Sequence, residues 1–440
     1  MTNLGETPAG ETGSLLEHLF RHQAGRMVAH LTRLLGPAHI DLAEETVQEA
    51  MLRALQTWPY EGVPENAGAW LFRVAHNAAI DAVRRNRLLS DKSETIVTEL
   101  TRAASTPQED PGLEEHFRDD ELRMIFMCCH PEISQDSSVA LSLKTVGGFS
   151  VREIARAFLA DDAAIAQRLV RAKSQIRERR LTLDLPRGNE LKLRLASVLD
   201  VVYFMFNEGY TAHEGQDLIR RDLCFEALRL GRLVAASSIA MPSVHALVAL
   251  MAFQAARLAA RVDEAGDLVL FEFQDRGRWD QQLIGLGFHH FDRSMEGDEV
   301  SEYHPQAAIA ATYARAQDAQ SVDWIMILGL YDQFLAINPS PVVALNRAVV
   351  VGKVQGPLKA LEAIAPLEGN SKMRTYYLLP AVRGHLLLEL GRPGEATDSF
   401  RAALKCPCSE PERRFLRRKL EECERATILG QTKESSSCHT

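Results

Sequence analysis

The basic side chains of residues 149–180 are the residues of this chain best suited to bind a charged ligand. Ile165, Leu169 and Ala172 repeat at helical spacing, and the preceding string FSVREIARAF has apolar residues at the same spacing. A different face carries the basic side chains Arg168, Arg171, Lys173, Arg177, Arg179 and Arg180. The pattern predicts a helix-turn-helix whose second helix binds phosphates and reaches base edges in a major groove.

The position of each side chain on that second helix suggests its role. Base contacts are expected from the N-terminal half, which holds Ala163, Ala164, Gln167, Arg168 and Arg171, and phosphate contacts from Lys173 and Arg177. Leu159 stands where a glycine often allows the turn, so the turn geometry is not set by the sequence.

An acidic segment lies far upstream, at residues 41–54. Leu42, Val47, Ala50 and Leu55 can face inward on a helix, which leaves an acidic and polar outer surface made of Asp41, Glu44, Glu45, Gln48 and Glu49. Most charge runs of this kind are solvated helix faces, and that reading stays open at the level of pattern alone.

A third segment mixes aromatic and basic side chains. Trp70, Phe72 and His76 alternate with four polar or cationic residues, Arg73, Asn77, Arg84 and Arg85. Bases stack on aromatic faces while cations follow the backbone, so the mixture suits single-stranded DNA. The alternative is that Trp70 and Phe72 belong to the core.

Catalysis and metal binding find little support. Cys128, Cys129 and His130 resemble a ligand set, but no second pair lies at a usable spacing. The chain shows no nucleophile, phosphate loop or metal triad. We therefore expect no enzyme activity, no cofactor and no metal.

Composition bounds the class of protein. The 440 residues are 46% apolar and 25% charged, which is typical of a folded protein of two or three domains. The net charge of −9 argues against coating nucleic acid by bulk electrostatics. Seven irregularly placed cysteines fit a reducing compartment, and neither a secretory signal nor a bilayer-spanning stretch is evident. A cytoplasmic location without membrane contact is expected.

Nearly all periodicity is helical, so the predicted fold class is all-α. We expect an N-terminal helical bundle, a polar linker, the helix-turn-helix, a helical middle domain, helical repeats and a disordered tail. Their respective bounds are 1–89, 90–112, 113–186, 187–300, 301–428 and 429–440.

The expected repeats rest on small residues at regular spacing. Ala348 precedes Ala360, and Gly384 precedes Ala396, by twelve residues each, where antiparallel helices would touch. Phe400 and Ala403 then follow. The pattern resembles degenerate tetratricopeptide hairpins stacked in a short solenoid, which can present a concave surface to a protein or peptide.

The strings DLAEETVQEAMLRALQTWP and GAWLFRVAHNAAIDAVRRNR, in this order, resemble region 2 of the sigma-70 family of RNA polymerase initiation factors. With a helix-turn-helix downstream, they resemble the extracytoplasmic-function (ECF) group, which keeps regions 2 and 4. VVYFMFNEGY, FQDRGRWD and SPVVALNRAVVV resemble the long C-terminal extension of one subgroup.

The resemblance implies roles for the three segments. The acidic helix would dock on the clamp helices of the largest subunit of core RNA polymerase, and the aromatic and basic segment would capture the minus-10 strand. The basic helix would read the minus-35 element beside the flap of the second-largest subunit. The alternative is a helix-turn-helix regulator with a helical ligand- or protein-binding C-terminal domain.

Overall fold

The structure, a computed structural model, describes residues 23–85, 111–158, 160–210 and 219–437. In these ranges the regular structure is helical, and the extended pairing is one isolated bridge between Val262 and Leu268. The prediction of an all-α fold is confirmed. The chain divides into two compact units, Met1–Phe204 and Met205–Thr440.

The first unit contains the three predicted binding segments. Its first helix, α1, covers residues 23–35 and leads into a short 3-10 turn, Pro37–His39. The helices that follow are α2 (Ile40–Glu61), α3 (Ala67–Arg85), α4 (Pro111–Cys128), α5 (Gln135–Thr145), α6 (Val151–Ala157), α7 (Asp162–Glu178) and α8 (Gly188–Tyr210), whose last turns belong to the second unit.

Helix α1 forms the centre of this unit. Met27, Leu31 and Leu35 are buried, as are most of their neighbours along the helix, as expected for a helix covered on several sides. Gly25 lies so close to the turn after α5 that a Cβ there would overlap the carbonyl oxygen of Val146. The N-terminal helices therefore pack directly on the helices around the predicted helix-turn-helix.

Helices α6 and α7 lie where the helix-turn-helix was predicted, and they pack on each other. Ile154, Ile165 and Leu169 are buried between them and their neighbours. Leu159 lies outside the described residues, so the question of the turn geometry stays open. The predicted linker also lies outside them, except for its last two residues, which begin α4.

The second unit continues the helical pattern. Its helices are α9 (Arg221–Ala235), α10 (Pro242–Ala256), α11 (Gln281–Ser294), α12 (Tyr303–Arg315), α13 (Trp324–Ile337), α14 (Pro341–Gln355), α15 (Pro357–Ile364), α16 (Leu378–Glu389), α17 (Pro393–Leu404) and α18 (Glu410–Ser437). α18 is helical through Ser437, beyond residue 429, where a disordered tail was predicted to begin.

One segment of the described chain, Pro242–Ala260, is long and apolar enough to cross a bilayer, contrary to the sequence-based expectation. Its most apolar window is 83% buried within the protein. Helix α10 packs against α11, α12 and α9, so it is the core helix of the second unit.

Small residues lie where the last helices cross. Ala348, Ala360 and Ala396 are fully buried, and consecutive helices from α14 to α18 pack on one another. A Cβ at Gly384 would lie 3.0 Å from the ring of Phe400, so glycine permits the close approach of α16 and α17. The small residues picked out by the repeat pattern are thus helix contacts.

Candidate nucleic-acid interface

The outer face of α2 is a stripe of exposed residues that mixes acidic, polar and apolar side chains. We call it the docking stripe, and it consists of Asp41, Glu45, Gln48, Leu52 and Leu55. The spacing of four, three, four and three residues keeps all five on one face. Leu52 and Leu55 are 58% and 57% exposed, so the expectation that Leu55 faces inward is wrong. An apolar pair beside carboxylates suits a partner helix better than solvent alone.

Two other acidic residues of α2, Glu44 and Glu49, are already paired within the chain. Glu49 accepts a hydrogen bond from Arg53 at 2.6 Å, one helical turn away. Glu44 is turned inward, with its side chain only 13% exposed. The predicted acidic surface is therefore narrower than its sequence suggested.

The outer face of α3 carries basic side chains and, unlike that of α2, has no stripe of exposed apolar residues. Arg73, Asn77, Arg84 and Arg85 are exposed, and we call these four residues the strand face. Asp81 lies among them, and its backbone carbonyl accepts a hydrogen bond from Nε of Arg85 at 3.2 Å. The guanidinium groups of Arg73, Arg84 and Arg85 are therefore accessible to solvent on this face.

The prediction that His76 contacts DNA is wrong, because its side chain is completely buried. The centroid of its ring lies 5.5 Å from that of Phe72, and neither ring nitrogen has a hydrogen-bond partner among the described residues. Burial, together with the nearby His30, lowers the pKa of His76 to about 4. His76 is therefore a neutral core residue near neutral pH.

Trp70 stands between core and surface. It is partly exposed and packs edge-to-face on buried Trp58 at 5.6 Å between ring centroids. Trp70 therefore packs on the core and is also partly accessible to solvent.

The N-terminal half of α7 presents an open face. Ala163, Ala164, Gln167 and Arg171 are exposed there, and Val170 between them is 61% exposed. Arg168 is partly exposed, with Asp136 3.9 Å away. Side chains of this kind, on the first turns of the second helix, are those that enter a major groove.

The C-terminal half of α7 forms ion pairs with the first turns of α2. Lys173 Nζ donates hydrogen bonds to Asp41 and to Glu44, both at 2.8 Å, and Arg177 donates to Asp41 at 3.0 Å. Lys173 is only 8% exposed, so the expectation that it lies on an open basic face is wrong for this conformation. Burial alone would lower the pKa of Lys173, but the two carboxylates outweigh it and raise that pKa. We call these four residues the α2–α7 contact.

A second polar cluster joins α1 to α4. Asp120 is buried and accepts from Nδ1 of His30 and Nε of Arg33, both at 2.7 Å. Arg26 lies 3.6 Å from buried Glu121. Helices α1 and α2 thus both make polar contacts with the helices that follow residue 110.

The paired cysteines serve the core. The Cys128 thiol lies 3.4 Å from the hydroxyl of Thr145, and the Cys129 thiol lies 3.6 Å from that of Ser142. Burial raises the pKa of Cys129 to about 12 and that of Cys128 further. Among the described residues no cluster of three metal-ligating side chains occurs.

The second unit contains a mainly apolar cavity of about 420 Å³. The lining includes the aromatic residues Phe271, Tyr313, Trp324 and Tyr331 and aliphatic residues of α14 and α16. Tyr313 packs on Phe271 at 4.8 Å and on Trp324 at 5.8 Å between ring centroids. The cavity has the size and lining typical of a ligand or side-chain pocket.

Sequence reasoning missed Leu52 and the pairing of Lys173. A signal for Leu52 was available, because residues 45, 48, 52 and 55 follow one helical face. No local signal marks the partner of Lys173, since Asp41 lies 132 residues away.

Comparisons with known proteins agree with this layout. The family model of sigma-70 region 2 matches residues 19–88, which include the docking stripe and the strand face. The model of a family of unknown function (DUF6596) matches residues 194–295. No solved structure matches the chain.

The match defines the N-terminal part as region 2 of the sigma-70 family, a class of proteins that act in transcription initiation. The chain is 39% identical to an uncharacterized protein of Rhizobium meliloti (strain 1021), over 90% of this chain and 93% of that protein. It therefore belongs to one family with that protein.

Proposed function

We propose that this chain is an alternative sigma factor of the ECF type. It binds core RNA polymerase, recognises minus-35 and minus-10 promoter elements, and starts transcription. The observation that carries this proposal is the presence, within one sigma-70 region 2, of two separate exposed faces: an acidic and apolar docking stripe and a cationic strand face.

The docking stripe is the proposed contact with the polymerase clamp helices. Helix α2 would lay Leu52 and Leu55 against the partner helices, with Glu45 and Gln48 beside them. Apolar anchors spaced three and four residues apart are the usual means by which a helix docks on another surface. Carboxylates at the edge add selectivity and speed of association more than affinity.

The strand face is the proposed contact with the melted minus-10 element. Arg73, Arg84 and Arg85 would neutralise phosphates, Asn77 would hydrogen-bond a base, and the open side of Trp70 would stack. A duplex-binding repressor has no need of such a face. This observation favours the sigma factor over the alternative, a helix-turn-helix regulator with a ligand-binding C-terminal domain.

The open half of α7 is the proposed minus-35 reader. Ala163, Ala164, Gln167 and Arg171 would face base edges, and Arg168 would reach a base or an adjacent phosphate. Lys173 and Arg177 would bind phosphates once α2 releases them. The polymerase flap subunit would hold this module in place.

The second unit is proposed to regulate or support initiation and to act by binding, without catalysis. We infer tetratricopeptide-like hairpins in its last helices, where Ala348 and Ala360 allow close packing. The cavity with aromatic walls would take apolar side chains of a protein or peptide partner. We propose a cytoplasmic location, since the polymerase is found there.

Co-purification and promoter binding test the proposal. The chain should co-purify with core polymerase, and it should bind duplex promoter DNA weakly alone and tightly with core enzyme. The net charge of −9 is the physical reason for weak binding alone. Tight, sequence-specific binding of duplex DNA by the isolated chain would instead support the regulator.

A further inference from the structure

Two arginines of the second unit, Arg257 and Arg276, share one pair of aromatic rings. Their guanidinium carbons lie 4.5 to 5.4 Å from the ring centroids of Phe271 and Trp279. Such contacts stabilise a cation modestly and do not neutralise it. Within the described ranges neither arginine forms an ion pair with a carboxylate, since their polar contacts there are with an amide and with carbonyl groups. The rings therefore hold two like charges beside each other.

Arg276 has a structural role. Its Nη1 donates hydrogen bonds to the backbone carbonyls of Tyr313 at 3.0 Å and Ala316 at 2.6 Å, where α12 ends. The carbonyls at the end of a helix carry partial negative charge, which suits a guanidinium. Arg276 thus connects the segment FQDRGRWD to the end of α12, and this contact accounts for its position.

Arg257 has no comparable contact. It directly follows the last residue of α10, and its Nε donates to the side-chain oxygen of Gln274 at 3.3 Å. Its two terminal nitrogens have no hydrogen-bond partner in the part of the chain that the structure describes. The residue lines the cavity of the second unit. Rings and an amide thus hold in place a guanidinium whose terminal N–H groups can still bind a ligand.

Each of the other charged side chains of the cavity lining has a partner within 3.3 Å. The pairs are Lys353 with Glu272, Lys419 with Glu422, and His385 with Glu389. Arg257 is therefore the charge of the described lining that lacks a partner of opposite sign. One unpaired cation is complementary to a ligand with one negative charge.

The remaining lining selects the body of such a ligand. Its volume of about 420 Å³ lies within the range of small-molecule pockets. The aromatic residues of the lining favour an aromatic or branched apolar body. A guanidinium binds a carboxylate through two parallel N–H···O bonds. A phosphate, with nearly two negative charges, would require a second unpaired cation, which the described lining does not supply.

Tyr313 provides a second polar group. It lines the cavity and packs on Phe271, the ring that also contacts Arg257. Burial raises the pKa of Tyr313 to about 12, although the charge of Arg257 opposes the shift. The phenol therefore keeps its proton near neutral pH and can donate a hydrogen bond to an anion bound at Arg257.

We propose that this cavity binds a small apolar carboxylic acid, whose carboxylate pairs with Arg257 and whose body lies among the aromatic rings. The inference goes beyond the proposed function and requires neither polymerase nor DNA. A bound acid would occupy the volume proposed above for apolar side chains of a partner. Acid and partner would therefore exclude one another, and the second unit would respond to the concentration of the acid.

Calorimetric titration of the full chain tests the site with three acids of this class: 3-phenylpropionate, indole-3-acetate and hexanoate. At least one of them should bind with a submillimolar Kd. The corresponding primary amide has the same body without the charge. It should bind at least about tenfold more weakly, because it forms no charged hydrogen bond with Arg257.

Substitutions assign the binding to the named residues. Arg257→Met should lower the affinity for the bound acid at least about tenfold, and Tyr313→Phe about threefold. Because Tyr313→Phe removes one hydroxyl and keeps the ring, it tests the site even if Arg257→Met disturbs the fold. The matched control is Arg278→Met, which removes an exposed guanidinium of the same segment outside the cavity lining. It should leave the affinity within about twofold.

Three results would each overturn the carboxylic acid site. They are no binding of any of the three acids up to about 10 mM, equal affinities of acid and amide, and unchanged affinity in both the Arg257→Met and Tyr313→Phe variants. All of these measurements use the isolated chain. Failure to bind polymerase would overturn the proposed function and leave this inference to be decided by the titrations.

Discussion

Helices α3 and α7 both carry cations proposed to meet DNA, yet the structure treats them differently. The cations of α3 point away from the protein, whereas Lys173 on α7 is buried and Arg177 is bound to Asp41. The difference shows that a basic face predicted from helical spacing does not establish what it binds. Carboxylates elsewhere in the same chain can pair with these cations instead of DNA phosphates.

Substitutions in the docking stripe should have the largest effect on transcription, because the proposed polymerase contact is needed before α3 and α7 can bind promoter DNA. Leu52→Glu with Leu55→Glu should weaken binding to core polymerase at least about tenfold, since charges would replace the apolar anchors in the interface. Thermal stability should stay the same, as both leucines are exposed. Affinity measured by fluorescence anisotropy checks this.

Leu193→Glu with Leu358→Glu is the matched control, because these leucines are 70% and 57% exposed. It should leave polymerase affinity within about twofold. Equal affinity of the docking-stripe variant and the wild type would place the polymerase contact elsewhere.

The strand face is the next to test. Asn77→Ala and Arg84→Ala should each lower open-complex formation severalfold while changing core binding less than about twofold, because both residues lie on α3 away from the docking stripe. Permanganate footprinting of the melted strand measures the first quantity. Arg425→Ala, an exposed arginine of the second unit, is the control. Equal losses in core binding and strand opening would mean that α3 has a general role in docking.

The open half of α7 should show a smaller and more specific effect. Gln167→Ala should reduce discrimination at one base pair of the minus-35 element by about 1–3 kcal/mol, since one side chain reads that edge. Binding of the polymerase complex to single-base promoter variants measures it. Gln355→Ala, also exposed, should change nothing. A uniform loss across all promoter variants would contradict base reading by Gln167.

The sequence anticipated the fold class and the positions of the helices proposed to bind, because both depend on local periodicity. It failed at His76, where an aromatic ring beside arginines is equally compatible with core and surface. It failed again at Lys173, whose partners lie 129 and 132 residues away. Leu55 was misplaced because an apolar residue was assumed to face inward, whereas it is exposed in the structure.

Protonation of two buried histidines, one in each unit, should have the smallest effect, which is on the free energy of unfolding. Burial lowers the pKa of His76 in the first unit and of His290 in the second to about 4, with His245 adding to the shift at His290. Below the unfolded pKa of about 6.5, the unfolded chain binds more protons than the folded one. The stability contributed by keeping these histidines neutral is therefore fully present above about pH 6.5, and the free energy of unfolding declines as the pH falls toward 4.

Urea unfolding at pH 7, 6 and 5 checks this, with His76→Leu and His290→Leu as separate variants. Each substitution should reduce the pH dependence, because leucine takes up no proton. Unchanged stability from pH 7 to pH 5 in the wild type would contradict the burial of both rings.

Run-off transcription with purified core polymerase on a library of genomic fragments tests the central claim most directly. We expect defined transcripts when the chain is added, none with core enzyme alone, and none with the Leu52→Glu/Leu55→Glu variant at the same concentration. Absence of any chain-dependent transcript, together with specific duplex binding by the isolated chain, would contradict the assignment as an initiation factor.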